Sequence, residues 1–114
     1  MVSQGEIWWV DLGEPAKSEP GYKRPIVVIQ SNVFNESKIS TIICAVITSN
    51  IKLAEAPGNI LLNSKSTGLI KDSVINVSQI ITVDRSYFLE KIGSLNNRQF
   101  KKLEDGLKIV LGLR

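Results

Sequence analysis

With 114 residues, 43% of them hydrophobic and 22% charged, the chain has the make-up of one ordinary globular domain. That length buries roughly two thirds of the unfolded surface, enough for a single core. There is no histidine, which excludes Ser-His-Asp and Cys-His triads, paired-imidazole ribonuclease chemistry and every histidine metal site. One cysteine excludes an intrachain disulfide and a cysteine zinc cluster, and the net charge of +3 tilts only weakly toward a polyanionic partner.

The start, Met1-Val2-Ser3-Gln4-Gly5, carries no basic region followed by an apolar run. No stretch reaches the roughly 18 apolar residues of a membrane helix, so a cytoplasmic protein with no membrane partner is expected. Glu6 to Leu12 reads as the first strand, with Ile7 and Trp9 on one face and Trp8, Val10 and Leu12 on the other. Apolar groups on both faces point to a strand covered on two sides. Residues 13–23, with Pro15, Pro20 and Gly21, read as a long loop of the functional kind. Pro25 to Gln30 is a β-branched strand whose proline stands at its start, where a missing N–H is tolerated. A helical turn over Val33 to Ser37 and the most apolar strand, Ser40 to Thr48, follow. Cys44 lies inside that strand and reads as a small core residue.

Ser49 to Pro57 is a second polar loop, Gly58 to Leu62 a short strand, and Asn63 to Gly68 a turn-rich connection. Ser73 to Val83 is a long strand and Phe88 to Leu95 a further short one. The period then changes. Asn96 can cap a helix while Gln99 reaches back, and Phe100, Leu103, Leu107, Val110 and Leu111 form one apolar stripe. The pattern predicts a mainly β fold over residues 1–114, a small antiparallel barrel with one C-terminal helix.

Three polar features can carry chemistry. In Lys23-Arg24-Pro25 the proline holds Arg24 extended, and a fixed guanidinium fork matches two phosphate oxygens. The plain alternative is a surface arginine paired with a carboxylate. Thr48-Ser49-Asn50 places hydroxyl and amide groups where a strand gives way to a loop; such groups either satisfy a turn or hold phosphate and ribose oxygens. In Asp72 to Gln79, alternation sets Asn76 and Ser78 on one face with Val74, and Ile75, Val77 and Gln79 on the other. Asp72 and Asp84 flank that strand as turn caps, and no carboxylate pair has metal-binding spacing.

Together these blocks resemble the MazF/PemK family of toxin-antitoxin ribonucleases. The resemblance runs through Gly5 to Leu12, Ser18 to Gln30, Thr41 to Ser49, and Lys71 to Ile80 with Thr82 to Arg85, and on to Ile92-Gly93-Ser94-Leu95 before the helix. It implies an SH3-like barrel of the CcdB/PemK type, a homodimer, cleavage of single-stranded RNA at a short sequence without metal or cofactor, and a cognate antitoxin that blocks the site. The family's catalytic arginine falls on Arg24 and its catalytic threonine on Thr48. RNA contacts are expected from Ser18, Glu19, Tyr22, Lys23, Ser49, Asn50 and Gln79. One departure is Pro20, where the family often carries glutamine. Two rival functions stand beside the enzyme: a CcdB-like toxin that binds DNA gyrase without cutting, and an inactive RNA-binding module. The presence of both Arg24 and Thr48 favours the enzyme.

Overall fold

The computed structural model describes residues 1–13 and 22–114. Six strands form one antiparallel sheet: β1 (Glu6–Asp11), β2 (Lys23–Val28), β3 (Thr41–Thr48), β4 (Ile60–Leu62), β5 (Ser73–Asp84) and β6 (Phe88–Ser94), in the spatial order β4-β5-β3-β2-β1-β6. A helical turn, α1 (Asn32–Asn35), joins β2 to β3, and the two edge strands approach each other through α2 (Ser64–Thr67), which follows β4 and lies against β6. A side chain at Gly93 of β6 would meet the Thr67 carbonyl oxygen at 2.2 Å, so only glycine allows this approach. The predicted barrel is therefore a curled, half-closed sheet, its gap bridged by α2 instead of by strand pairing.

Apolar residues fill both faces, as the two-sided first strand predicts. Ile7, Val27, Ala45, Ile47, Ile75 and Val77 pack with Leu103 of α3 (Asn97–Leu111), and Phe100 and Leu107 lie beside them. This is the helix face. Val10, Ile26, Val28, Ile42, Cys44 and Val46 form a second cluster on the opposite face, with Val2, Trp8 and Phe88 against it. The Trp8 and Phe88 rings meet edge to face at 5.7 Å.

The capping box forms as predicted: Asn96 accepts from the Gln99 backbone N–H at 2.8 Å, and Gln99 accepts from that of Asn96 at 2.9 Å. The apolar stripe does not stay on the core. Leu103 is fully buried, but Val110 and Leu111 are exposed, because 15 residues at ~1.5 Å each outrun the sheet beneath them. Gly106, read as a weak point, is where α3 touches the chain ahead of β4; a Cβ there would meet the Gly58 carbonyl oxygen at 2.2 Å. Asp72 and Asp84 act as turn caps, accepting from the backbone N–H groups of Ser64 and Ser86 at 2.9 Å each.

Candidate functional site

The ladder between β2 and β3 pairs Val28 with Cys44, Val27 with Ala45 and Ile26 with Val46. Continuing that register by two residues sets Arg24 directly against Thr48. Opposed residues of an antiparallel pair share a face, their Cβ atoms about 4.5–5.5 Å apart. On the other side Arg24 pairs with Val10, and Thr48 pairs with Val74 of β5. The arginine and the threonine thus stand in one row across the sheet, on the face opposite the helix. Ile26 and Val46, two residues further along each strand, are fully or almost fully buried, while Arg24 is exposed and Thr48 half-buried. The row marks the point where this face passes from core to surface.

Thr48 Oγ1 accepts from the Asn50 backbone N–H at 3.1 Å, and Asn50 Oδ1 accepts from that of Lys52 at 3.3 Å, capping a 3-10 turn over Ile51–Glu55. Both groups therefore do turn work. The Thr48 hydroxyl, held as an acceptor by Asn50, keeps its proton to donate to an oxygen of a ligand.

Gln79 departs from the simple alternation. Ala45 pairs with Ile80 and the adjacent Val46 with Asn76, so Val77, Ser78 and Gln79 bulge between them. The bulge shifts the pleat, and Gln79 comes to Asn76 instead of facing away from it: Asn76 Nδ2 donates to Gln79 Oε1 at 3.2 Å. Asn76 also accepts from Ser78 Oγ at 2.8 Å. Asn59, opposite Asn76 in the continued β4–β5 register, accepts from the Val77 N–H at 3.0 Å and donates to the Leu53 carbonyl at 2.8 Å. Asn76 stood out in the sequence as a polar group in an apolar strand. Asn59 carried no signal, since its role depends on a register that only the folded sheet defines.

Lys23 and Ser49 point the other way. They line a cleft of about 300 Å³ at the same end of the sheet, together with Trp9, Ile47, Leu69, Lys71 and Ser73, and Arg24 contributes to its rim. Trp9 and Lys71 were not singled out from sequence, because an indole in a first strand reads as core and a lone lysine as surface. Tyr22 is exposed with φ 57°, a left-handed conformation. Its N–H donates to the Gly13 carbonyl and its carbonyl accepts from the Leu12 N–H at 2.8 Å. A non-glycine residue so held costs of order 1–3 kcal/mol, a cost met most often beside functional sites. Ser18, Glu19, Lys17 and Pro20 lie outside the described residues. Among the described residues no three carboxylate or thiol side chains come together.

Residues 3–111 match the family described as PemK-like, MazF-like toxins of type II toxin-antitoxin systems. Endoribonuclease MazF6 of Mycobacterium tuberculosis is 42% identical over 113 residues, 99% of each chain. Endoribonuclease EndoA of Bacillus subtilis is 34% identical over 99% of this chain and 97% of its own. Among solved structures, an endoribonuclease in complex with its cognate antitoxin from Mycobacterial species overlays with a TM-score of 0.83 at 18% identity, covering 100% of this chain and 98% of that one. MazF from Deinococcus radiodurans follows with a TM-score of 0.79 at 20% identity, over 98% and 97% of the two chains.

Proposed function

This chain belongs to the PemK-like, MazF-like toxins of type II toxin-antitoxin systems and is an endoribonuclease of that group; we propose that Arg24 and Thr48 carry its cleavage of single-stranded RNA. The observation behind this reading is the β2–β3 register, which continued two residues past Ile26–Val46 brings the two side chains into one row, where the core gives way to surface. A ribose 2′-oxygen attacks the neighbouring phosphorus, and the bond to the next nucleotide's 5′-oxygen breaks. The 2′-OH proton is lost and the departing 5′-oxygen gains one, leaving a 2′,3′-cyclic phosphate and a 5′-hydroxyl. Arg24 neutralises the charge that grows on the phosphate through its two-pronged fork. Thr48 donates its hydroxyl proton to a phosphate oxygen while the Asn50 N–H steadies that hydroxyl. No metal ion enters these steps. The gyrase-binding alternative is not favoured, since the relatives matched are endoribonucleases.

The same reading brings in partners. Relatives have been solved with their antitoxins, and an acidic antitoxin segment suits a site whose neighbouring cations include Lys23, Arg24 and Lys52. A homodimer would double the face available to RNA. In the first strand Ile7 and Val10 are fully buried within the chain, which leaves the half-buried Trp8 and Trp9 as its apolar surface. Ile109, Val110, Leu111 and Leu113 at the end of α3 offer exposed apolar area. Cytoplasmic mRNA is the natural substrate of such a toxin. The test is incubation of purified protein with a long RNA in EDTA. Cuts ending in cyclic phosphate, and none where the cut position carries a 2′-deoxyribose, support the mechanism. Normal cutting of the deoxy substrate overturns it.

A further inference from the structure

An amide side chain presents either its donor or its acceptor end, and the two are ordinarily hard to tell apart. At Gln79 the backbone decides. The Val77 N–H can only donate, so the Asn59 atom it meets at 3.0 Å is the oxygen. Asn59 Nδ2 is thereby directed to two acceptors, the Leu53 carbonyl at 2.8 Å and Asn76 Oδ1 at 3.4 Å. The Ser78 N–H, also at 3.4 Å, fixes the same Asn76 atom as oxygen by the same reasoning. Asn76 Nδ2 is then left facing Gln79, where it needs an acceptor, and Gln79 supplies Oε1 at 3.2 Å. Gln79 Nε2, the remaining end, hydrogen-bonds to nothing among the described residues.

We propose that Asn76, itself set by Asn59, is a positioning residue that locks the Gln79 carboxamide with Nε2 outward, so that this part of the site selects bases with a keto oxygen, guanine O6 or uracil O4, over those with an amino group in its place. The proposal rests on the reading of the chain as a nuclease with Gln79 at its RNA groove. The bulge brings Gln79 to Asn76, which pairs with Val46 on the face that bears Arg24 and Thr48, two residues along β3 from Thr48. At one position of the Watson–Crick edge, purine C6 or pyrimidine C4, the bases divide: guanine O6 and uracil O4 are keto acceptors, whereas adenine N6 and cytosine N4 are amino donors. A fixed N–H favours the keto pair and leaves an amino base facing donor to donor, a mismatch worth on the order of tenfold in cleavage.

The experiment sequences the cut sites made by wild type, Asn76→Asp and Asn76→Ala in a random RNA library, after melting curves show each variant folded. Wild type is expected to prefer guanine or uracil at one position of its target. Asp at 76 has only acceptors, so Gln79 turns Nε2 inward and Oε1 outward, and the preference at that position alone moves toward adenine or cytosine. Ala at 76 lets the amide rotate and flattens the preference. Adding Gln79→Ala to either variant erases its effect, which a merely structural role for Asn76 does not predict. A folded Asn76→Asp protein that keeps the wild-type preference, or that no longer cuts at all, overturns the relay. Wild type that fails to cut any RNA overturns the nuclease reading instead.

Discussion

The two faces of the sheet, compared at the ends of β2 and β3, show how one ladder serves two purposes. On the helix face Val27, Ala45 and Ile47 are all fully buried, with Leu103 of α3 closing the same cluster. On the opposite face Ile26 and Val46 are buried, yet the next row outward is Arg24 and Thr48. Strand pairing holds each residue of the second row from its outer side, Arg24 on Val10 and Thr48 on Val74, but burial holds only the first row. The helix face keeps apolar cover one step further, through Pro25 and Ile47, before Lys23 and Ser49 open it; the opposite face loses cover already at Arg24 and Thr48 and is open to a ligand there. Rigidity at the site is thus borrowed from the neighbouring core rows.

Substitutions on each face sharpen this contrast. Leu103→Ala removes a fully buried side chain from the helix face and should cost about 2–5 kcal/mol. A melting scan should show Tm falling by roughly 10 °C or more, with cleavage per folded molecule little changed at low temperature. Arg24→Ala and Thr48→Val should do the reverse. Each is expected to lower the cleavage rate by about 10²–10³, while stability changes by less than about 1 kcal/mol. Should Arg24→Ala and Leu103→Ala lose stability equally, the two faces are not functionally distinct.

A smaller effect belongs to Glu6 in β1. Partial burial works against its charge, but hydrogen bonds from Lys91, Trp8 and the Ser3 backbone outweigh that and hold its carboxyl below the ordinary value. A lowered folded pKa stabilises the protein above the unfolded carboxylate pKa, and that stability is lost as pH falls through the folded value. Acid unfolding of Glu6→Gln should accordingly show a shallower slope than wild type below about pH 4.5. The smallest effect is an expected absence of reaction. Cys44 is fully buried and burial pushes its thiol up to about 12, so a thiol reagent at neutral pH should leave the folded protein untouched and label it only in denaturant.

Much of the scaffold was legible before folding, because each strand and the capped helix depend on local pattern. Alternation in β1 and the Asn96–Gln99 capping box are examples. Arg24 and Thr48 stood out as polar groups at strand ends and took their catalytic roles from family resemblance; only the β2–β3 register, continued past Ile26–Val46, gives them a common row. Gln79 was set on the wrong face, since a bulge at Val77-Ser78-Gln79 carries no glycine or proline to announce it. The length of the stripe on α3 misled for a related reason: sequence periodicity reports what a helix can bury, not how far its partner extends.

The contact of Gly106 with Gly58 also constrains how this sequence can drift. A side chain at Gly106 would strike the Gly58 carbonyl, and one at Gly58 would crowd Gly106 and Val77 at 3.0–3.1 Å while forcing a positive φ. Neither position accepts even alanine without moving helix and strand apart. The residue after Gly58 is Asn59, whose amide orders Asn76. The glycine pair therefore serves as a gauge block: it sets the spacing between two packed elements, and a heritable change in that spacing would be felt first at Asn59 and the Asn76–Gln79 pair proposed to meet RNA.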